Sequence, residues 1–77
     1  MRRQWLKERR EKRGLSQVEF ARVLGVSRLT IQYWERGMRN PSSLQRAAIA
    51  EHLGSDLLSK FSAEDRVRLH APKEEAS

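Results

Sequence analysis

Between Ser16 and Gly37 the apolar positions repeat at helical spacing, and the repeat is interrupted once. Phe20, Ala21 and Leu24 fall on one face of a first short helix. Ser16 and Glu19, three positions apart, form a capping box that serves two amide donors at its start. Gly25 stops it, because glycine reaches the left-handed conformation without a Cβ penalty. Val26 plugs the corner and Ser27 caps a second helix, in which Ile31 and Trp34 share the inward face. The opposite side is left to Arg28, Leu29, Gln32 and Tyr33, with Arg36 one turn on. A helix capped, stopped by glycine and restarted at once predicts a helix-turn-helix over 16–37.

The flanking segments read as its support. A helix is expected over about 2–13, with Gly14 as its stop and Leu6 as its clear inward residue. Trp5 covers the same side, whereas Arg9 lays its stem along the core edge and carries its charge outward. Met38 to Pro41 form a loop, and Ser42 with Gln45 is a second capping box opening a helix over about 42–53. Its inward stripe is Ile49, Ala50 and Leu53, with Arg46 at the wet end and Gly54 as the stop. Ser55 caps a short segment holding Leu57, Leu58 and Phe61, and Ser62 with Asp65 starts a fifth helix over about 62–69. The spacing thus predicts an all-α, compact five-helix domain over 1–70, with helices near 2–13, 16–24, 27–36, 42–53 and 62–69, and a flexible polar tail at 71–77.

Seventy-seven residues make one domain that buries only about 60% of its unfolded surface, so a partner subunit would help it. Without cysteine there is neither a disulfide nor a thiolate metal site. No apolar run approaches the ~18 residues of a membrane span, and the N-terminus lacks a signal-peptide core, so a cytoplasmic, nucleoid-associated protein is expected. The net charge of +6 is uneven: residues 1–40 hold eleven Lys/Arg against four Asp/Glu, and residues 41–77 hold five against six. Charge alone leaves a solvated surface and a polyanion-binding face equally open; the helix-turn-helix pattern decides for nucleic acid. His52 and His70 have no ligand set around them, and no catalytic arrangement or phosphate loop is present. Neither metal nor cofactor, small molecule nor enzymatic activity is expected.

LSQVEFARVLGVSRLTIQYWERGMRNPS resembles the helix-turn-helix domain of phage Cro and cI repressors and their bacterial relatives, the XRE-type family. The resemblance rests on Leu15, Ser16, Gln17, Ala21, Leu24, Gly25, Val26, Ser27, Ile31, Trp34, Glu35, Gly37 and Pro41, and extends from about Leu6 to Gly54. It implies a lambda-repressor-like fold with the second helix of the motif as the recognition helix. It also implies an ion pair between Arg10 and Glu35. The family usually has leucine or a small residue where Arg9 stands, so the packing of the first helix departs from the pattern.

A helix in the major groove meets a distinct donor and acceptor pattern at each base pair. Arg28 matches guanine O6 and N7, Gln32 adenine, and Leu29 a thymine methyl group. Tyr33 reads as a base contact, a phosphate contact or packing; the resemblance ranks it with the base contacts and adds Gln17 as a phosphate contact at a helix N-terminus. Ser27 and Thr30 offer hydroxyls to phosphates, and the resemblance places Arg36, Arg39 and Asn40 on the next ones. Arg2 and Arg3 reach the backbone if the N-terminus is mobile. Together these imply a sequence-specific double-stranded DNA-binding transcriptional regulator, a Cro-like repressor acting as a homodimer on a palindromic operator. Leu57, Leu58, Phe61, Val67 and Leu69 exceed what so small a core requires and are expected at the dimer interface. Two other readings stay open. One is an antitoxin whose tail masks a toxin partner. The other is a coactivator that bridges to the transcription machinery, to which the outward Val18 and Val23 lend support.

Overall fold

The structure, a computed structural model, describes residues 2–69 and side chains as far as Val67. Five helices follow in order: α1 (Gln4–Lys12), α2 (Gln17–Leu24), α3 (Arg28–Arg36), α4 (Ser43–Leu53) and α5 (Leu57–Leu69). The tail expected at 71–77 lies outside the described residues, as does His70.

The local signals act as the sequence predicts. Ser16 Oγ accepts the Glu19 amide at 3.0 Å while the Glu19 carboxylate takes the Ser16 amide at 2.8 Å, and Ser42 with Gln45 repeats the box on α4. The bonds from Ser16 hold the Glu19 carboxyl below its usual range. Gly25 and Gly37 close α2 and α3 in the left-handed conformation, at φ 73° and 76°. Leu6, Phe20, Ala21, Ile31, Trp34, Ile49 and Leu53 then meet in one core, with Trp5, Leu15, Leu24 and Val26 packed against it.

The end of the chain departs from expectation. α5 begins at Leu57, five residues before the expected start, and Ser62 lies inside it. Leu57 and Phe61, one helical turn apart, are both 1% exposed and join the core, so tertiary burial carries the helix through a residue that prefers caps. This also corrects the expected dimer interface: Leu57 and Phe61 belong to the monomer's own core. Leu58 and Val67 remain at the surface, nine positions and so about half a turn apart around the helix, and form no single patch. The Leu69 side chain lies outside the described residues.

Arg9 ties α1 to the link between α4 and α5. Its guanidinium donates to the Leu53 carbonyl at 2.9 Å and to both Asp56 oxygens at 2.9 and 2.7 Å. Gly54 makes room for this clasp. A Cβ there would sit 2.6 Å from Arg9 Nη1 and from Asp56 Oδ1, at a φ of 129° that L residues rarely adopt.

Candidate nucleic-acid interface

The helix-turn-helix presents α3 with its apolar stripe inward and its other side open. Ile31 and Trp34 are buried, whereas Arg28 and Leu29 are exposed and Gln32 and Tyr33 half-buried. Ser27 caps α3 by accepting the Thr30 amide at 3.2 Å, and its hydroxyl lies 3.0 Å from that of Thr30. Both hydroxyls therefore stand at the helix N-terminus, where free amides favour an anion.

Beneath this surface lies a buried ion pair. Arg10 Nε donates to Glu35 Oε2 at 2.6 Å and Arg10 Nη2 to Oε1 at 3.2 Å, with both side chains almost fully enclosed. The third arm of Arg10 takes the Leu15 carbonyl at 2.8 Å, so the same arginine secures the entry to α2. Gln17 extends the network outward. Its amide nitrogen donates to Glu35 Oε1 at 3.2 Å, and its oxygen accepts from Arg28 Nε at 3.3 Å and Gln32 Nε2 at 3.4 Å. Two side chains suited to base edges are thus held from one point on α2, and that point is anchored to the buried pair. Arg10 neutralises the Glu35 carboxylate, which would otherwise oppose a phosphate at this face.

Around it the basic residues divide. Arg36 and Arg39 are exposed, and the Arg39 guanidinium lies 5.1 Å from the centre of the Tyr33 ring. Arg2, Gln4 and Lys7 from the start of the chain, with Gln17 of α2 and Gln32, Glu35 and Arg36 of α3, line a cleft of about 180 Å³. Lys7 was absent from the residues expected at this face. On sequence it is one of many cations of α1, and only the way α1 crosses α3 brings it here.

Arg3 is a correction. Expected as an arm for the DNA backbone, it is 0% exposed. Its amide bonds the Glu35 carbonyl at 2.7 Å, and its guanidinium donates to the carbonyls of Trp34 and Arg39, to Asn40 Oδ1 and to Glu64 Oε1. Asn40 is exposed at the loop after α3, but its side-chain oxygen is occupied by Arg3. Arg46, expected at a wet helix end, instead forks onto Asp65 at 2.6 and 3.1 Å and lies over the Phe61 ring.

Comparison with known proteins agrees with the five-helix fold. The model of the Helix-turn-helix family matches residues 6–59, which spans α1 to the first turn of α5. The chain belongs to the XRE-type helix-turn-helix family. An uncharacterized HTH-type transcriptional regulator of Bacillus subtilis (strain 168), YqaF, is 38% identical to it over 56 residues, covering 73% of this chain and 74% of that protein. No solved structure matches. This XRE-type domain is therefore a DNA-binding transcriptional regulator by class. Among the described residues no helix is long and apolar enough to cross a membrane.

Proposed function

We propose that this protein is a Cro-like repressor that reads a palindromic operator as a homodimer, with one recognition helix in each of two successive major grooves. The observation that carries the reading is the open side of α3. Arg28 and Leu29 are exposed at its first turn, and Gln32 follows one turn on. In this reading Arg28, Leu29, Gln32 and Tyr33 face base edges. Gln17, Ser27, Thr30, Arg36, Arg39 and Asn40 anchor phosphates, and Arg2 and Lys7 extend the basic surface. Phosphate contacts set position and affinity, whereas base contacts set sequence preference.

Selection of bound sequences from random duplex DNA, at two salt concentrations, tests this. The expected product is an inverted repeat whose half-sites lie about one helical turn (~34 Å) apart. On that sequence Arg28→Ala should relax preference at one base pair by about 1–3 kcal/mol. Arg36→Ala should weaken all duplexes alike and lower the salt slope by about 0.9. Binding with no motif at either salt, or identical behaviour of the two variants, overturns the division of roles.

A further inference from the structure

Arg3 stands where three parts of the molecule meet. Its backbone amide bonds the Glu35 carbonyl at 2.7 Å, and Nη1 reaches the Trp34 carbonyl at 2.6 Å, so it serves two carbonyls of the last turn of α3. The same Nη1 bonds the Arg39 carbonyl at 3.0 Å, and Nη2 holds the side-chain oxygen of Asn40. Nε pairs with Glu64 Oε1 of α5 at 2.8 Å, and the guanidinium lies over the Phe61 ring, 5.5 Å from its centre. The site is closed: the Arg3 side chain is 1% exposed and that of Glu64 10%. A buried arginine serving acceptors on a helix end, a loop and a second helix fixes all of them relative to one another, because its planar fork has one orientation.

We propose that Arg3 is the positioning residue of the DNA interface. Through its fork of donors it holds the segment after the recognition helix, with Arg39 and Asn40, at the height at which it meets a phosphate. Glu64 couples that segment to α5. This rests on the DNA-binding reading above, but assigns Arg3 and Glu64 a role opposite to direct backbone contact. Arg3 itself touches no DNA. It directs Asn40 by occupying the amide oxygen, which leaves the Asn40 Nδ2 donors facing away from the guanidinium. It directs Arg39 through that residue's carbonyl, while the Arg39 guanidinium is set over Tyr33. The charge that Arg3 places at the C-terminal end of α3 also opposes the negative end of that helix.

Arg3→Lys tests the proposal. Lysine keeps a cation beside Glu64 but cannot span the Trp34 and Arg39 carbonyls, Asn40 and Glu64 together. Two readouts are needed, both well below the melting temperature. In the free protein, amide hydrogen exchange at residues 37–40 should accelerate at least tenfold, while that at residues 20–24 of α2 stays unchanged. On a 20-base-pair duplex of random sequence, affinity should fall about tenfold, and the salt slope should drop by about 0.9 for each phosphate that is no longer neutralised. The same fold loss should be seen on the selected operator, and adding Asn40→Ala should cost Arg3→Lys less than it costs the parent protein. If Arg3→Lys does not fold, Glu64→Gln, which reaches the segment through its pair with Arg3, should show both changes in smaller measure. Unchanged exchange at residues 37–40 in the folded variant overturns the positioning role whatever the protein binds. Faster exchange with unchanged affinity and slope overturns its link to DNA. Failure of the parent protein to bind any duplex would instead reject the DNA-binding reading, and the exchange result would stand on its own.

Discussion

Arginine has unlike roles within a few positions of α1. Arg9 holds an exposed carboxylate in the link between α4 and α5, Arg10 is sealed against Glu35, and Arg3 is buried just ahead of the helix. The cost of removing one partner differs accordingly. Glu35→Ala leaves the Arg10 guanidinium enclosed without its carboxylate, and the expected loss is about 3–5 kcal/mol. The paired change Arg10→Met with Glu35→Leu should recover most of it, since a buried ion pair exchanged for apolar volume is often neutral. Thermal melting of the three proteins decides. An unchanged melting temperature in Glu35→Ala would show that the pair carries no stability. The pair was legible in the sequence through its resemblance to the family, whereas the burial of Arg3 was not. In a stretch with eleven Lys/Arg among forty residues, nothing in the string separates an enclosed arginine from a solvated one.

At the scale of elements, the helices with strong end signals start where the sequence places them. Ser16, Ser27 and Ser42 each accept the amide three residues on, and a cap needs only its own neighbours to act. α5 lacks that local control. Its start is set by Leu57 and Phe61 entering the core, and its approach is held by the clasp of Arg9 on Asp56. The hydrogen bond from Arg9 is the main reason that the Asp56 carboxyl titrates at about 2 instead of 3.8. Its folded pKa is lowered, so its stabilising contribution is complete above 3.8 and is lost as pH falls toward about 2. The melting-temperature gap between the parent protein and Asp56→Asn should therefore be constant above pH 3.8 and close as pH approaches 2. A gap that persists at the acid end would show that Asp56 acts through its shape and not its charge. Because the pair is exposed, high salt should narrow the gap as well.

For the whole molecule, the proposed dimer raises the question of how two copies would meet. Two of the five residues expected at the interface are taken up by the monomer's own core, and Leu58 and Val67 on α5 point two ways. Leu58 is 41% exposed, and Val67, at 71%, shares its side of the helix with Lys60 two turns earlier. An apolar contact fits the Leu58 side better, since the charge two turns on, Asp65, is already paired with Arg46, whereas the other side would have to bury the Lys60 ammonium group. Light scattering at tens of micromolar should give a dimer on the selected operator, and Leu58→Asp should weaken its assembly by tenfold or more while Val67→Asp leaves it near parental. A monomer both free and on DNA would reject the dimer. Val18 and Val23, five positions apart on α2 and so about 140° around it, do not make the single patch that a bridging surface needs.

The sequence by itself determined what depends on neighbours along the chain. Helical periodicity, serine caps and glycine stops set α2, α3 and their corner, and with them the outward row of Arg28, Leu29 and Gln32. These are short-range effects in which each residue's preference is decided within a turn. Only the tertiary structure decided the fate of residues whose partners lie far along the chain: Arg3 with Glu64, Arg9 with Asp56, Arg46 with Asp65, and Phe61 against Trp5 and two guanidinium groups. The reason is physical. A long basic side chain is at home in water or buried on a carboxylate, and which of the two it takes depends on where folding puts the carboxylate.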